Sequence, residues 1–196
     1  MGSSDQTIYT KKGDTGQTRL LSKERVEKDD VRVTAYGCLD ELQSHLGMAR
    51  SLLRAKTIQS ILHSIQLDLF VASSELASTS QYLSRLTKRI GQQDITRIEH
   101  EIDSLMDRYG LPGHFVVPGA SVESSALHVA RSVCRRSERL ITKLNRQVGD
   151  YSVLLAYFNR LSDLLFVLAW SLEVRAAVET VLRELFCGGQ QQGVSW

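Results

Sequence analysis

The chain has 196 residues, 42% of them hydrophobic, with 24 Lys and Arg against 22 Asp and Glu. This length fits one domain with enough apolar residues for a core. The near balance of charge gives no general reason to expect a nucleic acid or a membrane as partner. The three cysteines are odd in number and far apart, which favours a reducing compartment over a disulfide framework or a zinc site. The N-terminus lacks the pattern of a signal peptide, so the cytoplasm is the expected location.

The first part of the chain, residues 1–30, predicts loops and short extended pieces, because Gly13 and Gly16 stand among threonine, aspartate and lysine. From Val31 onward, apolar residues recur at steps of three and four, which is typical of an amphipathic helix. The same spacing over residues 58–76 predicts a second helix.

The remaining elements follow after a polar connection over residues 78–93. A third helix is predicted from Gly91 and the candidate N-cap Asp94 onward. A fourth runs from the serines at 121–125 to about residue 147, and a fifth from near residue 150 to 185. The sequence therefore predicts an all-α fold, a five-helix antiparallel bundle over residues 31–185, with a glycine-containing loop before it and a disordered tail over residues 186–196.

The segment from Thr10 to Thr18 has the composition of a phosphate-binding loop. Glycines let backbone N–H groups converge, threonines add hydroxyls and lysines add positive charge. The segment is not a Walker A loop, because the Gly-Lys-Ser/Thr ending is missing. An ordinary surface turn remains the other interpretation.

A second candidate site lies in the fourth predicted helix. Arg131, Arg135 and Arg139 are four residues apart, so their side chains form one cationic stripe, with Glu138 beside it. Arginine forks match phosphate oxygens bidentately, which suits a polyphosphate. A solvated basic face is the other interpretation, but the scarcity of acidic partners favours an anionic ligand.

Polar residues also interrupt the apolar fifth helix, where they need partners. Arg160 and Asp163 have the spacing of a local ion pair, whereas Asn159 could reach a ligand. In the first helix, Asp40 and Glu41 do not form the Glu-x-x-His pairs of a di-iron bundle, and no metal ligands are assigned.

Six segments follow one another in the order of a known family's motifs, at residues 9–18, 28–30, 35–42, 115–119, 125–139 and 159–163. Together they resemble the PduO-type ATP:cob(I)alamin (corrinoid) adenosyltransferases over residues 8 to about 175. The departures are Ala120, where many relatives carry glycine, and the segment after Ser171, for which we recognise no resemblance.

The resemblance implies a homotrimer of five-helix bundles with active sites between subunits. The N-terminal loop of one subunit would hold ATP through Thr10, Lys11, Lys12, Gly13, Thr18, Arg19 and Lys28. The neighbouring subunit would contribute Arg135, Arg136, Glu138, Arg139 and Asn159.

The resemblance also implies the corrinoid side of the site and the reaction. Asp40 resembles the aspartate that pairs with the arginine at Arg131 and shapes the corrinoid pocket. Phe115 resembles the aromatic that covers the lower face of the corrin and displaces its dimethylbenzimidazole base, which makes reduction of Co(II) to Co(I) easier. Reduced cobalamin attacks C5′ of ATP, triphosphate leaves and adenosylcobalamin forms. Because cobalt is the nucleophile, no side-chain nucleophile is needed; Arg135, Lys28 and Mg²⁺ would stabilise the leaving group.

Two other classes of function stay open from the residues alone. A corrinoid carrier or nucleotide sensor would bind without catalysis, but a carrier has no need of a triphosphate site. An interaction scaffold would leave the arginine stripe without a purpose. A further partner to consider is an adenosylcobalamin-dependent enzyme that receives the product.

Overall fold

The computed structural model describes residue 9 and residues 11–149 and 151–187, which form a helical bundle with one short hairpin. The strands are β1 (Gln17–Arg19) and β2 (Arg25–Glu27), and the helices are α1 (Val31–Leu52), α2 (Lys56–Leu76), α3 (Ser80–Leu83), α4 (Gln92–Tyr109), α5 (Val122–Val148) and α6 (Ser152–Cys187). The predicted all-α bundle of five long helices is confirmed. The additional helix α3 is a single turn inside the predicted polar connection.

The long helices pack side by side, with α1 between α2 and α5, and α6 between α5 and α4. Helices α5 and α6 are antiparallel, because Glu138 contacts Asn159 while His128, earlier on α5, lies beside Glu173, later on α6. Fully buried side chains, such as Phe158, fill the space between them. None of the described helices is both long enough and apolar enough to cross a membrane.

A buried polar triad ties three of these helices together. The Tyr157 hydroxyl of α6 donates to Asp68 Oδ2 of α2 at 2.8 Å, and Arg97 of α4 binds the same carboxylate oxygen. Burial first, and then the negative charge of Asp68, raise the pKa of Tyr157 well above its usual value. The tyrosine therefore stays a neutral donor, and the triad fixes α4 and α6 relative to α2.

Local sequence explains where α1 and α5 begin. The Asp30 side chain accepts the Arg32 backbone N–H at 2.8 Å and so caps α1. Ser121 and Ser124 cap α5 reciprocally, each hydroxyl accepting the other's backbone N–H. Both helix starts agree with the prediction, and the α5 cap places the arginine stripe in the middle of its helix.

The predicted cap of α4 is wrong by three residues. Gly91 is the N-cap, and Asp94 lies at the third helical position, where its Oδ2 accepts the Gly91 N–H at 2.9 Å. A carboxylate in the first turn stabilises a helix from either position, so the sequence alone does not separate the two.

The N-terminal hairpin is anchored on the bundle. β1 and β2 pair antiparallel, with Thr18 opposite Val26. Between them, Leu20 is buried and the Leu21 N–H donates to the Ala77 carbonyl at 2.8 Å. The hairpin therefore sits beside the C-terminal end of α2, and the loop before it has a fixed support.

The last helix is longer than predicted. α6 continues through Cys187, so residues 186 and 187 are helical. Residues 188–196 lie outside the described residues, and the predicted disordered tail there stays a prediction.

Candidate functional site

A cavity of about 490 Å³, the arginine cavity, opens between α4, α5 and α6. Its charged lining residues are Glu99, Asp103, Arg131, Arg135, Arg160 and Asp163. Its apolar wall includes Ile102, Met106, Phe166 and Val167. The cavity thus combines an apolar wall with charged groups, as expected of a site for a large, partly apolar ligand.

The arginines of this cavity differ in how they are bound. Arg160 Nε donates to Glu99 Oε1 at 2.9 Å, so the local ion pair considered from the sequence gives way to a contact between two helices. Within the described residues, neither Arg131 nor Arg135 has a carboxylate oxygen within 4.0 Å. Two guanidinium groups therefore stand at the cavity wall with their charge uncompensated by an ion pair.

Polar side chains near these arginines form a short chain of contacts. Asn159 Oδ1 accepts from Arg160 Nη1 at 2.8 Å, and Asn159 Nδ2 donates to Glu138 Oε1 at 3.3 Å. Burial raises the pKa of Asp163 above its usual value, and the positive charges of Arg160 and Arg135 oppose that rise. The chain joins two residues that the resemblance assigns to ATP, Glu138 and Asn159.

A second concave site of about 370 Å³, the hairpin cavity, lies at the N-terminal loop. It is lined by Lys12, Gly13, Gln17, Thr18, Arg19, Arg25 and Lys28. Four of these seven residues are cationic and none is acidic. Such a lining suits an anion of several charges, such as a polyphosphate.

The conformation of the N-terminal loop places Lys28 next to both Gly16 and Gly13. The Lys28 N–H donates to the Gly16 carbonyl at 2.8 Å, where Gly16 has a φ of 87°. A Cβ placed on Gly13 would lie 3.2 Å from Lys28 Nζ, tighter than ordinary van der Waals contact. The glycine at position 13 therefore leaves room for the ammonium group beside the loop backbone.

Several predicted site residues lie in neither cavity. Arg136 turns toward α1, where it binds Glu41 and donates from Nε to Cys38 Sγ at 3.3 Å. Arg139 is exposed on α5, Lys11 is exposed before the hairpin, and Thr10 lies outside the described residues.

The predicted corrinoid residues are also separate within one chain. Phe115 is 99% exposed in the loop before α5. Asp40 is exposed on α1, and among the described ion pairs it has no contact with Arg131. Helix α1 does pack against α5, as the predicted pair requires of the two helices.

The two cavities share no lining residue. One is cationic and formed by the hairpin; the other has an apolar wall with arginines and is formed by three helices. Sequence reasoning missed Glu99 and Phe166, because nothing in the local pattern of α4 or α6 shows which residues a neighbouring helix leaves uncovered.

Comparison with known proteins decides the family. The family model described as cobalamin adenosyltransferase matches residues 8–172. The chain belongs to the cobalamin adenosyltransferase family. The corrinoid adenosyltransferase of Citrobacter freundii is 44% identical over 162 residues, covering 83% of this chain and 92% of that protein. That of Mycobacterium tuberculosis is 42% identical over 168 residues, covering 83% and 86%. The family predicted from the six segments is thereby confirmed.

Some members of this adenosyltransferase family are longer. The corrinoid adenosyltransferase PduO of Salmonella typhimurium is 38% identical over 178 residues, and the match covers 91% of this chain but 53% of that protein. The chain thus spans about half the length of this PduO relative.

Solved structures of the family have the same fold. A phenylalanine-to-histidine variant of the PduO-type ATP:corrinoid adenosyltransferase from Lactobacillus reuteri, complexed with cobalamin and ATP, matches with a TM-score of 0.81 and 35% identity. The match covers 87% of this chain and 93% of that one. An arginine-to-lysine variant of the same enzyme, complexed with ATP, matches with a TM-score of 0.80.

Proposed function

We propose that this chain transfers the 5′-deoxyadenosyl group of ATP to the Co(I) centre of cobalamin, releasing triphosphate. The observation that carries the proposal is the pair of guanidinium groups, on Arg131 and Arg135, that face an apolar-walled cavity without an ion-pair partner in the described chain. Family membership and relatives that bind cobalamin and ATP together support it.

In this reaction the protein must position the two substrates and stabilise negative charge; it need not supply a nucleophile. The cobalt lone pair forms the bond to C5′, the C5′–O bond breaks, and its electrons leave with triphosphate. Arg135, which lines the arginine cavity, stabilises negative charge on the departing oxygen in this proposal. Phe115 covers the lower face of the corrin, and holding C5′ in line with cobalt would accelerate the transfer further.

The complete site forms between two subunits of a homotrimer. Support comes from the hairpin cavity and the arginine cavity, which have no residue in common within one chain. The loop of one subunit holds the ATP phosphates through Lys12, Gly13 and Lys28, and the neighbour brings Arg135. The exposure of Phe115 and Asp40 in the single chain agrees with a site that a neighbouring subunit completes.

Mg²⁺ enters this site with the nucleotide. Among the described residues, no three histidine, cysteine, aspartate or glutamate side chains converge as a metal site. Mg²⁺ in phosphoryl-group sites is often held by substrate phosphates with few protein ligands, so the ATP phosphates are the expected ligands. The ion would add to the neutralisation of the leaving triphosphate.

The activity is tested by mixing the protein with Mg-ATP and chemically reduced cobalamin. The visible spectrum follows the alkyl-cobalt product, and phosphorus NMR identifies the leaving group. Formation of adenosylcobalamin with stoichiometric triphosphate is expected. Binding of both ligands without product would indicate the carrier or sensor alternative, and no binding would favour the scaffold.

Subunit complementation tests where the site forms. Lys28→Ala and Arg135→Ala each inactivate one half of the site, so the two variants are co-expressed with different tags and mixed trimers are isolated. Each mixed ring of three places both intact halves together in one of its three sites, so about a third of the wild-type activity should return. The control pairs Lys28→Ala with Lys12→Ala, two defects in the same half, and should restore nothing. No restoration in the first pair would place the whole site within one subunit.

A further inference from the structure

Buried polar atoms without a hydrogen-bond partner gather at one place beside the arginine cavity. Seven such side-chain atoms occur among the described residues, and five of them belong to His128, Arg131, Trp170 and Glu173. The first two are three residues apart on α5 and the last two are three apart on the antiparallel α6. An unpaired buried polar group destabilises a fold, so a cluster of such groups needs an explanation.

His128 is the centre of the cluster. It is 4% exposed, and its Nε2 lies 3.4 Å from Glu173 Oε1. Its ring makes an edge contact with Phe166, with 6.2 Å between the ring centroids. Because Phe166 and Arg131 both line the arginine cavity, the cluster lies directly behind the cavity wall.

The imidazole of His128 is held neutral. Burial is the main cause that lowers its pKa, the charge of Arg131 lowers it further, and the carboxylate of Glu173 acts in the opposite direction. A neutral imidazole carries one N–H donor and one lone-pair acceptor. The group that faces one ring nitrogen therefore decides what the other nitrogen offers.

The unpaired atoms complement one another in this arrangement. Glu173 faces Nε2, so the carboxylate favours the tautomer with its proton on Nε2. Nδ1 is then an acceptor, and Arg131 Nε, an unpaired buried donor, lies on the next turn of the same helix. A chain in which Arg131 donates to His128 and His128 donates to Glu173 would give each of these atoms a partner.

We propose that His128 and Glu173 are positioning residues, which orient the Arg131 guanidinium toward the corrinoid side of the arginine cavity. Neither residue touches substrate. The proposal rests on the adenosyltransferase function proposed above, with Arg131 on the corrinoid side of the site. It assigns His128 a hydrogen-bonding role that its place in a buried core would not by itself require.

Two substitutions at His128 separate the two contacts of its ring. His128→Asn keeps an acceptor near the position of Nδ1 and loses the link to Glu173, whereas His128→Gln reaches toward Glu173 and loses the contact with Arg131. We expect His128→Gln to lower kcat/KM for the corrinoid by about tenfold or more, His128→Asn by about threefold, and both to leave the KM for ATP within about twofold. Equal losses in the two variants, or the reverse order, would overturn the proposal.

A double-mutant cycle provides a readout that a structural role would not move. If His128 acts through Arg131, His128→Gln should cause no further loss of kcat/KM in an Arg131→Ala background. Multiplicative losses would show that the two residues act separately. If His128→Gln does not fold, the near-isosteric variant Glu173→Gln replaces it, because the amide no longer selects one tautomer of His128. The loss of kcat/KM caused by Glu173→Gln should also vanish in the Arg131→Ala background.

The matched control is Glu75→Gln, which removes the charge of another buried carboxylate. Glu75 is 1% exposed, accepts the Ile90 N–H at 2.6 Å and lies outside both cavities. This variant should lose stability and keep the kcat/KM of the folded enzyme. A wild-type protein that forms no adenosylcobalamin would refute the function itself; an active wild type without the expected coupling would refute only the positioning role.

Discussion

Replacing Arg135 with alanine tests the leaving-group contact most directly. Arg135 is exposed, lines the arginine cavity and has no carboxylate oxygen within 4.0 Å in the described chain. Its removal therefore strands no buried partner, and the free energy of unfolding should change by less than about 0.5 kcal/mol. The effect should fall on turnover.

The magnitude follows from the charge that Arg135 would stabilise. Losing one charge-assisted contact to a developing anion costs roughly 2–4 kcal/mol of transition-state stabilisation, or about 30- to 900-fold in rate. Arg135→Lys keeps the charge but loses the planar fork, so its loss should fall between wild type and alanine. The matched control is Arg146→Ala, since Arg146 is an exposed arginine in the last turn of the same helix and lines neither cavity.

The assay is steady-state formation of adenosylcobalamin, with thermal or urea unfolding measured in parallel. Arg135→Ala should lose kcat/KM while its unfolding curve overlays those of wild type and Arg146→Ala. A loss of less than about tenfold would remove Arg135 from the leaving-group site, because one charge-assisted contact in the transition state contributes more than that. A large shift in unfolding would mean that Arg135 stabilises the bundle instead.

Three further predictions concern other parts of the molecule. Phe115→Ala should still bind ATP but lose the four-coordinate, base-off Co(II) species, which electron paramagnetic resonance of the cob(II)alamin–ATP complex detects. An unchanged signal would show that Phe115 does not displace the lower ligand. Asp40→Asn and Arg131→Ala should each impair corrinoid handling more than ATP affinity, with a coupling of at least about 1 kcal/mol in the double mutant, whereas strict additivity would mean that they act separately. Burial raises the pKa of the Cys134 thiol far above its usual value, so iodoacetamide at pH 8 should label Cys134 only after unfolding, as mapped by mass spectrometry, and fast labelling of the folded protein would contradict its burial.

The helices were predictable because their signals are local. The start of α1 at Val31 follows from the Asp30 cap and the apolar spacing after it, both visible in one stretch of sequence. The N-cap of α4 was not predictable in this way. Asp94 accepts the backbone N–H of the N-cap residue from inside the helix, and aspartate is also a common N-cap residue, so the sequence does not distinguish the two positions. One turn of helix is also too short to leave a periodic signal, which explains the missed α3.

The lining of the arginine cavity was predictable where one helix carries it and not where helices meet. Arg131 and Arg135 share a face of α5 by spacing alone, and both line the same cavity. The partner of Arg160 is Glu99, sixty-one residues away in sequence, and no local pattern relates them. Arg136, next in sequence to Arg135, points about a quarter-turn away and binds Glu41 on α1, so its predicted contact with ATP requires that this ion pair be shared or exchanged.

The exposure of Phe115 agrees with its predicted contact with the corrin ring. The bundle buries its core without this side chain, which is 99% exposed, and the loop that carries it has no helical constraint. Burying a phenylalanine contributes about 1.5–3 kcal/mol, and this gain is available for a contact with a ligand or with a neighbouring subunit. A corrin ring offers the broad apolar face that such a contact needs. The free energy of Phe115 burial would then appear in corrinoid binding and in the displacement of the lower ligand, and hardly at all in the stability of the protein.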